Sequence, residues 1–169
     1  MALKRSSKPF EISALVTETG PNTFTEEKID LQLNPLDNEV LMVHAVDLQI
    51  DSPDAVAGVN TSVSAALTKT TQTGIARIDQ GDTIAASNHE IRAAGFVDGG
   101  VGFMNRSTAD TPPADLDYVA IIATSDMFLQ VIGGGNGAAK SARVRVYCTR
   151  ATADAATYAA LVQSELLSN

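Results

Sequence analysis

The residues able to do chemistry in this chain are few, and their spacing is the first thing to weigh. Gly133-Gly134-Gly135-Asn136-Gly137-Ala138-Ala139-Lys140-Ser141 is the richest candidate for phosphate binding. A phosphate-cradling loop needs Gly, Lys and Ser or Thr in direct succession, so that the lysine reaches the terminal phosphates as a helix begins. Here two alanines separate Gly137 from Lys140, and the residues that follow alternate like a strand. A connecting loop fits better. Gly100-Val101-Gly102 lacks the third glycine of a dinucleotide fingerprint.

His44 and His89 are the only histidines. Neither is paired at metal-ligand spacing with another donor, and no histidine–carboxylate–nucleophile pattern supports a hydrolase triad. His44 lies in a strand pattern and reads as a hydrogen-bonded structural residue. Cys148 is the sole cysteine, which excludes an internal disulfide, and its alternation with Val144 and Val146 makes it a small buried hydrophobe. Carboxylates gather in two places: Asp47, Asp51 and Asp54, and then Asp110, Asp115 and Asp117 around Pro112-Pro113. Loops of this kind can hold calcium through carboxylate and carbonyl oxygens, although neither follows the EF-hand ligand spacing. Asp110, Asp115 and Asp117 are the candidate calcium ligands, and no other cofactor is expected.

These residues must be positioned by strands. Val46, Leu48 and Ile50 alternate with Asp47, Gln49 and Asp51; Ile29, Leu31 and Leu33 alternate with Asp30 and Gln32. Val63, Ala65 and Leu67 repeat the pattern, as do Val144, Val146 and Cys148. Each run gives one apolar and one wet face, as antiparallel sheets require. Residues 118–123 and 127–132 are apolar on both faces, and Thr124-Ser125-Asp126 between them predicts a tight turn. The pair is expected to form a hairpin near the middle of a sheet, joined to the strand at residues 143–147 in a meander. Weaker strands are expected at 10–19, 74–78 and 90–97. Turn signals recur throughout, among them Gly20-Pro21-Asn22, Ser52-Pro53-Asp54 and Asp98-Gly99-Gly100. With no long helical pattern between strands, they disfavour parallel βαβ units and favour an all-β fold: an antiparallel β-sandwich, of the single jelly-roll type.

One helix is expected, at the C-terminus. Thr152 can cap it and Asp154 suits its first turn. Ala155, Tyr158, Val162 and Leu166 form a stripe at helical spacing, flanked by Ala159 and Leu161. A helix of about four turns is marginal alone. It must dock on its own sheet or on a neighbouring subunit, and Tyr158, Leu161, Val162 and Leu166 are the expected subunit contacts.

The bulk numbers agree with one domain. The chain has 169 residues, 44% hydrophobic and 19% charged, enough for a core without staples. The net charge of −8 argues against general nucleic-acid affinity. Its distribution is uneven, because Lys4, Arg5 and Lys8 precede the first acid, while the remainder carries nine bases against twenty acids. The first ten residues lack the apolar run of a signal peptide, and no stretch is apolar over about eighteen residues, so no transmembrane segment is expected. The organisation read from the sequence is a short basic arm at residues 1–9, a sandwich at 10–150 and a helix at 151–169.

The run of strands, the basic Lys4-Arg5-Ser6-Ser7-Lys8 tip and the closing Thr157-Tyr158-Ala159-Ala160-Leu161-Val162-Gln163-Ser164-Glu165-Leu166-Leu167 together resemble the single jelly-roll coat proteins of small icosahedral viruses. The resemblance is one of pattern and spans most of the chain. It implies a non-catalytic capsid subunit in the virion, synthesised in the host cytoplasm, whose partners are copies of itself and possible other capsid proteins. It also implies contact of Lys4, Arg5 and Lys8 with the viral genome. Three bases supply only three phosphate increments of attraction. The alternative reading is a non-catalytic sandwich module that binds a ligand or calcium through its acidic loops.

Overall fold

The structure is a computed structural model that describes residues 3–94, 102–107 and 116–167. Among the described residues there are ten strands, a short 3-10 turn (Pro35–Asp37) and one α-helix: β1 (Leu3–Arg5), β2 (Phe10–Thr17), β3 (Thr25–Asp30), β4 (Glu39–Ile50), β5 (Thr61–Thr68), β6 (Thr83–Arg92), β7 (Phe103–Ser107), β8 (Ala120–Ile122), β9 (Asp126–Gly134), β10 (Ser141–Ala153) and α1 (Ala155–Leu167). Every pairing is antiparallel. Sheet A has the order β1/β2-β10-β4-β8, with β1 and β2 end to end along β10; sheet B has the order β3-β9-β5-β6-β7. Successive strands β2, β3, β4 and β5 alternate between the sheets, as do β8, β9 and β10. The result is a two-sheet antiparallel β-sandwich with one terminal helix, and its strand order is consistent with a jelly roll.

The alternating side chains explain why the sheets face each other. Ala142, Val144, Val146 and Cys148 of β10 bury against Val63, Ala65 and Leu67 of β5 and Met127, Leu129 and Val131 of β9. Arg143, Arg145 and Tyr147 take the outer positions. On β4, Leu41 and Val43 face this core, and so do Val46, Leu48 and Ile50. Val43 and Val46 are three residues apart, which strict alternation forbids. A bulge resolves it: Tyr147 pairs Ala45 and Cys148 pairs Val43, leaving His44 as the extra residue.

A second, smaller core lies on the outer face of sheet A. Val40, Met42, Ile121, Ala123, Ala151 and Ala153 are covered by Leu3 and Tyr118 and by Tyr158, Leu161 and Val162 of α1. The helix therefore docks on its own chain. Asp154, and not Thr152, caps it: Asp154 Oδ1 accepts from the Thr157 N–H at 2.8 Å, and the Asp154 carbonyl takes the first helical bond from Tyr158. Thr152 is still in β10, held there by pairing with Lys4 and Glu39. The docked stripe also differs from the expected one. Leu166 is 65% exposed, while Glu165 is buried.

The expected hairpin of residues 118–123 and 127–132 does not form. β8 joins sheet A beside β4, and β9 joins sheet B between β3 and β5, so the link at Thr124-Ser125 crosses between sheets. The meander with residues 143–147 fails for the same reason, since β10 lies in sheet A. Both strands are nevertheless covered on two sides. Ile122 faces the sandwich core and Ile121 the helix; Leu129 faces the core, and Gln130 on the opposite face is fully buried. What covers Gln130 is the segment 69–82, whose Ala76 N–H donates to Gln130 Oε1 at 3.2 Å. Residues 74–78, an expected strand, belong to this cover and form none. Of the expected strand at 90–97, residues 90–92 close β6, and 95–97 lie outside the described residues. Ile29 is in β3, whereas Leu31 and Leu33 are buried just beyond its end, on either side of Gln32 with its positive φ.

Candidate functional site

The glycine-rich loop between β9 and β10 binds anions, but the anions are its own chain's carboxylates. Buried Glu18 accepts from the Gly133 N–H at 2.6 Å, the Lys140 N–H at 2.8 Å and the Thr23 N–H at 2.9 Å. Asp54 accepts from the Gly137 N–H at 2.7 Å and from Lys140 Nζ at 2.6 Å. Lys140 and the Gly137 amide hold the Asp54 carboxyl below its ordinary range. Asp51 accepts from the Ser141 N–H at 2.9 Å and from Arg143 at 3.0 Å; Asp47 accepts from the Tyr147 hydroxyl at 3.1 Å. The acidic group at Asp47, Asp51 and Asp54 is thus spent on fastening strands and loop. Gly135 takes φ +70°, and a Cβ there would lie 2.7 Å from the Asn60 carbonyl, which fixes glycine at that position.

His44, raised on the β4 bulge, is the structural residue its strand position suggested. Its Nδ1 donates to the Asp117 carbonyl at 2.8 Å, and its Nε2 is hydrogen-bonded to the Thr149 hydroxyl at 2.9 Å. Thr149 is fully buried, so its hydroxyl is out of reach of solvent. Cys148 is fully buried in the sandwich core, and burial pushes its thiol up to about 11. Among the described residues no three His, Cys, Asp or Glu side chains gather where they could hold a metal ion. Asp110 and Asp115 lie outside the described residues; Asp117 is exposed. Nor is any helix among the described residues long and apolar enough to cross a membrane.

The basic tip is not one patch. Lys4 and Arg5 are in β1, opposite Thr152 and Ala151, and successive strand residues point to opposite faces. Arg5 shares the helix-side face with Leu3 and lines a groove of about 420 Å³ with Met42, Asp117 and Tyr118. Lys4 takes the other face, and Lys8 is exposed in the link to β2. Ser6 and Ser7 tie that link to β10, the Ser6 N–H donating to the Arg150 carbonyl and the Arg150 N–H to Ser7 Oγ. The expected arm is therefore sheet from Leu3 to Arg5.

Of the four expected subunit contacts, Tyr158, Leu161 and Val162 are partly buried on their own sheet, and Leu166 alone projects into solvent with its neighbour Leu167. Glu165 latches the helix. Its Oε1 accepts from the Ala123 N–H at 2.8 Å and its Oε2 from the Thr124 N–H at 2.9 Å. Glu18 and Glu165 are buried carboxylates that take three and two backbone donors, and no sequence motif announces either. The helix covers one half of the outer face of sheet A. The other half is open, a groove of about 630 Å³ lined by Ser13, Leu15, Asp47, Gln49, Arg143 and Arg145. Arg143 and Arg145 are paired there with Asp51 at 3.0 Å and Glu11 at 3.6 Å. Compared with protein-family models, curated proteins and solved structures, the chain matches none.

Proposed function

We propose that the chain is a structural subunit, a single jelly roll that assembles with copies of itself into the icosahedral coat of a virus. One observation carries the reading: the strand orders β2-β10-β4-β8 and β3-β9-β5-β6 are what a jelly roll's paired Greek keys require of eight strands. A supporting observation is how the polar side chains are used. Glu18, Asp51, Asp54, Glu165 and His44 all fasten backbone. Such a molecule offers neighbours rigid edges and surfaces. In this reading the virion is where the protein resides, other coat proteins can share the shell, and the genome is met by Lys4, Arg5 and Lys8. Because Lys4 and Arg5 point to opposite faces of β1, that contact is weak and its salt dependence shallow.

Negative-stain electron microscopy of the purified protein, across salt and calcium concentrations, tests the proposal. Closed particles of uniform diameter are expected. Fields without particles in every condition would overturn it.

A further inference from the structure

We infer that β2 is a pairing edge, and that its occupant is β2 of a second copy, joined antiparallel about a two-fold axis at Ser13. The inference deepens the assembly reading above and rests on it. Among the described residues β2 has one sheet neighbour, β10, with unbroken register from Ser141 opposite Thr17 to Cys148 opposite Phe10. No strand among the described residues lies beside its other row of backbone groups. Native edges are normally blunted by shortness, charge, proline or a bulge. The opposite edge of sheet A, β8, is three residues long, and β3 in sheet B sets Glu27, Lys28 and Asp30 in solvent. Over its eight residues, Phe-Glu-Ile-Ser-Ala-Leu-Val-Thr, β2 carries a single charge, Glu11, which pairs with Arg145 of its own sheet, and it has no proline and no bulge against β10.

Burial gives the second observation. On β10 the inner residues Val144, Val146 and Cys148 are 3%, 0% and 0% exposed, yet Phe10, Ile12 and Ala14, one strand further out on the same face, are only partly buried. The sandwich is open along residues 10–14 of β2 and closed at Val16, which is 3% exposed. On the outer face Leu15 is 53% exposed.

A second β2 fits this edge because the strand is complementary to itself. With Ser13 opposite the partner's Ser13, Phe10 meets the partner's Val16 and Ile12 meets the partner's Ala14. The partner's strand then covers the part-buried Phe10, Ile12 and Ala14. On the outer face Glu11 lies opposite the partner's Leu15. It is two strand spacings, about 9–10 Å, from the partner's Arg143, within reach of that long side chain. No like charges face across the axis. The contact is isologous and merges two copies of sheet A into one continuous sheet.

Two substitutions at exposed Ser13 test this. Ser13→Cys places two thiols across the axis, while Cys148 is buried and does not compete. Under mild oxidation the variant is expected to form covalent dimer at least tenfold faster than Leu36→Cys, a control at a 91% exposed position. Ser13→Lys puts like charges face to face. It is expected to halve the mass of the smallest oligomer seen by light scattering, with an unchanged circular dichroism spectrum. Ser13→Cys linking no faster than the control, or Ser13→Lys leaving the oligomer intact, would overturn the inference. Particles that persist in those circumstances would leave the assembly reading standing on another surface. A wild-type chain monomeric at all concentrations would remove both. Should Ser13→Lys fail to fold, the Ser13→Cys rates decide alone.

Discussion

Removing the Glu165 carboxylate should undock the terminal helix at a cost that the structure allows us to estimate. Glu165→Ala deletes the acceptor of two backbone donors, Ala123 N–H and Thr124 N–H, at 2.8 and 2.9 Å. The residue is only 4% exposed, so water does not replace it freely. A hydrogen bond to a charged group contributes about 1.5–3 kcal/mol, and a buried donor left alone carries a penalty of similar size. Because both bonds end on one carboxylate they are not independent, and the expected loss is about 2–4 kcal/mol. For a chain of this length that corresponds to a fall in Tm of roughly 5–15 °C. Urea and thermal unfolding followed by circular dichroism measure the loss, and amide exchange at Ala123 and Thr124 reports its location. Leu166→Ala, one residue away but exposed, is the control and should stay within about 0.5 kcal/mol of wild type. Equal effects of the two substitutions, or unchanged exchange at Ala123 and Thr124, would refute the assignment of Glu165 as the latch.

Other outcomes follow from the same geometry. Glu18→Gln keeps the size of the side chain but offers a single accepting oxygen to three backbone donors, so it should cost about 2–4 kcal/mol and loosen residues 133–140, read as faster amide exchange there. Gly135→Ala meets both a positive φ and the Asn60 carbonyl, and should destabilise by about 2 kcal/mol in chemical unfolding. Cys148 should resist alkylation at pH 8 in the folded protein and react at once in denaturant. Folding raises its thiol from 9.0 to about 11, so stability is full below about pH 9 and falls as pH rises towards 11. A midpoint of urea unfolding that stays level across that interval in wild type, or falls equally in Cys148→Ala, would contradict this.

The sequence was readable where one strand face was apolar and the other polar. Val63-Leu67 and Val144-Cys148 alternate because Val63, Ala65, Leu67, Val144, Val146 and Cys148 enter the sandwich core from one face of each strand, and both runs lie inside strands, β10 extending on to Ala153. Residues 118–123 and 127–132 carried a different message. Two apolar faces state that a strand is covered twice, not by what, and the helix on one strand and the 69–82 segment on the other are invisible to pattern. The helix cap was missed because β1 pairs with Leu3 opposite Ala153 and prolongs β10 past Thr152. The helix face was misjudged by one position because hydrophobicity ranks Leu166 above Glu165, whereas two backbone donors of the β8–β9 link require an acceptor. Of the site residues, His44 and Cys148 followed from their place in strands. The glycine loop read as a connection, and the carboxylates that its amides hold, Glu18 and Asp54, come from distant parts of the chain that composition does not link to it.

Sedimentation velocity over a wide concentration range puts the central claim to its most direct test. Self-assembly predicts a discrete boundary far larger than the 17.7 kDa chain, held without intermediates once a threshold concentration is passed. A single 17.7 kDa species at every concentration and salt level would contradict it.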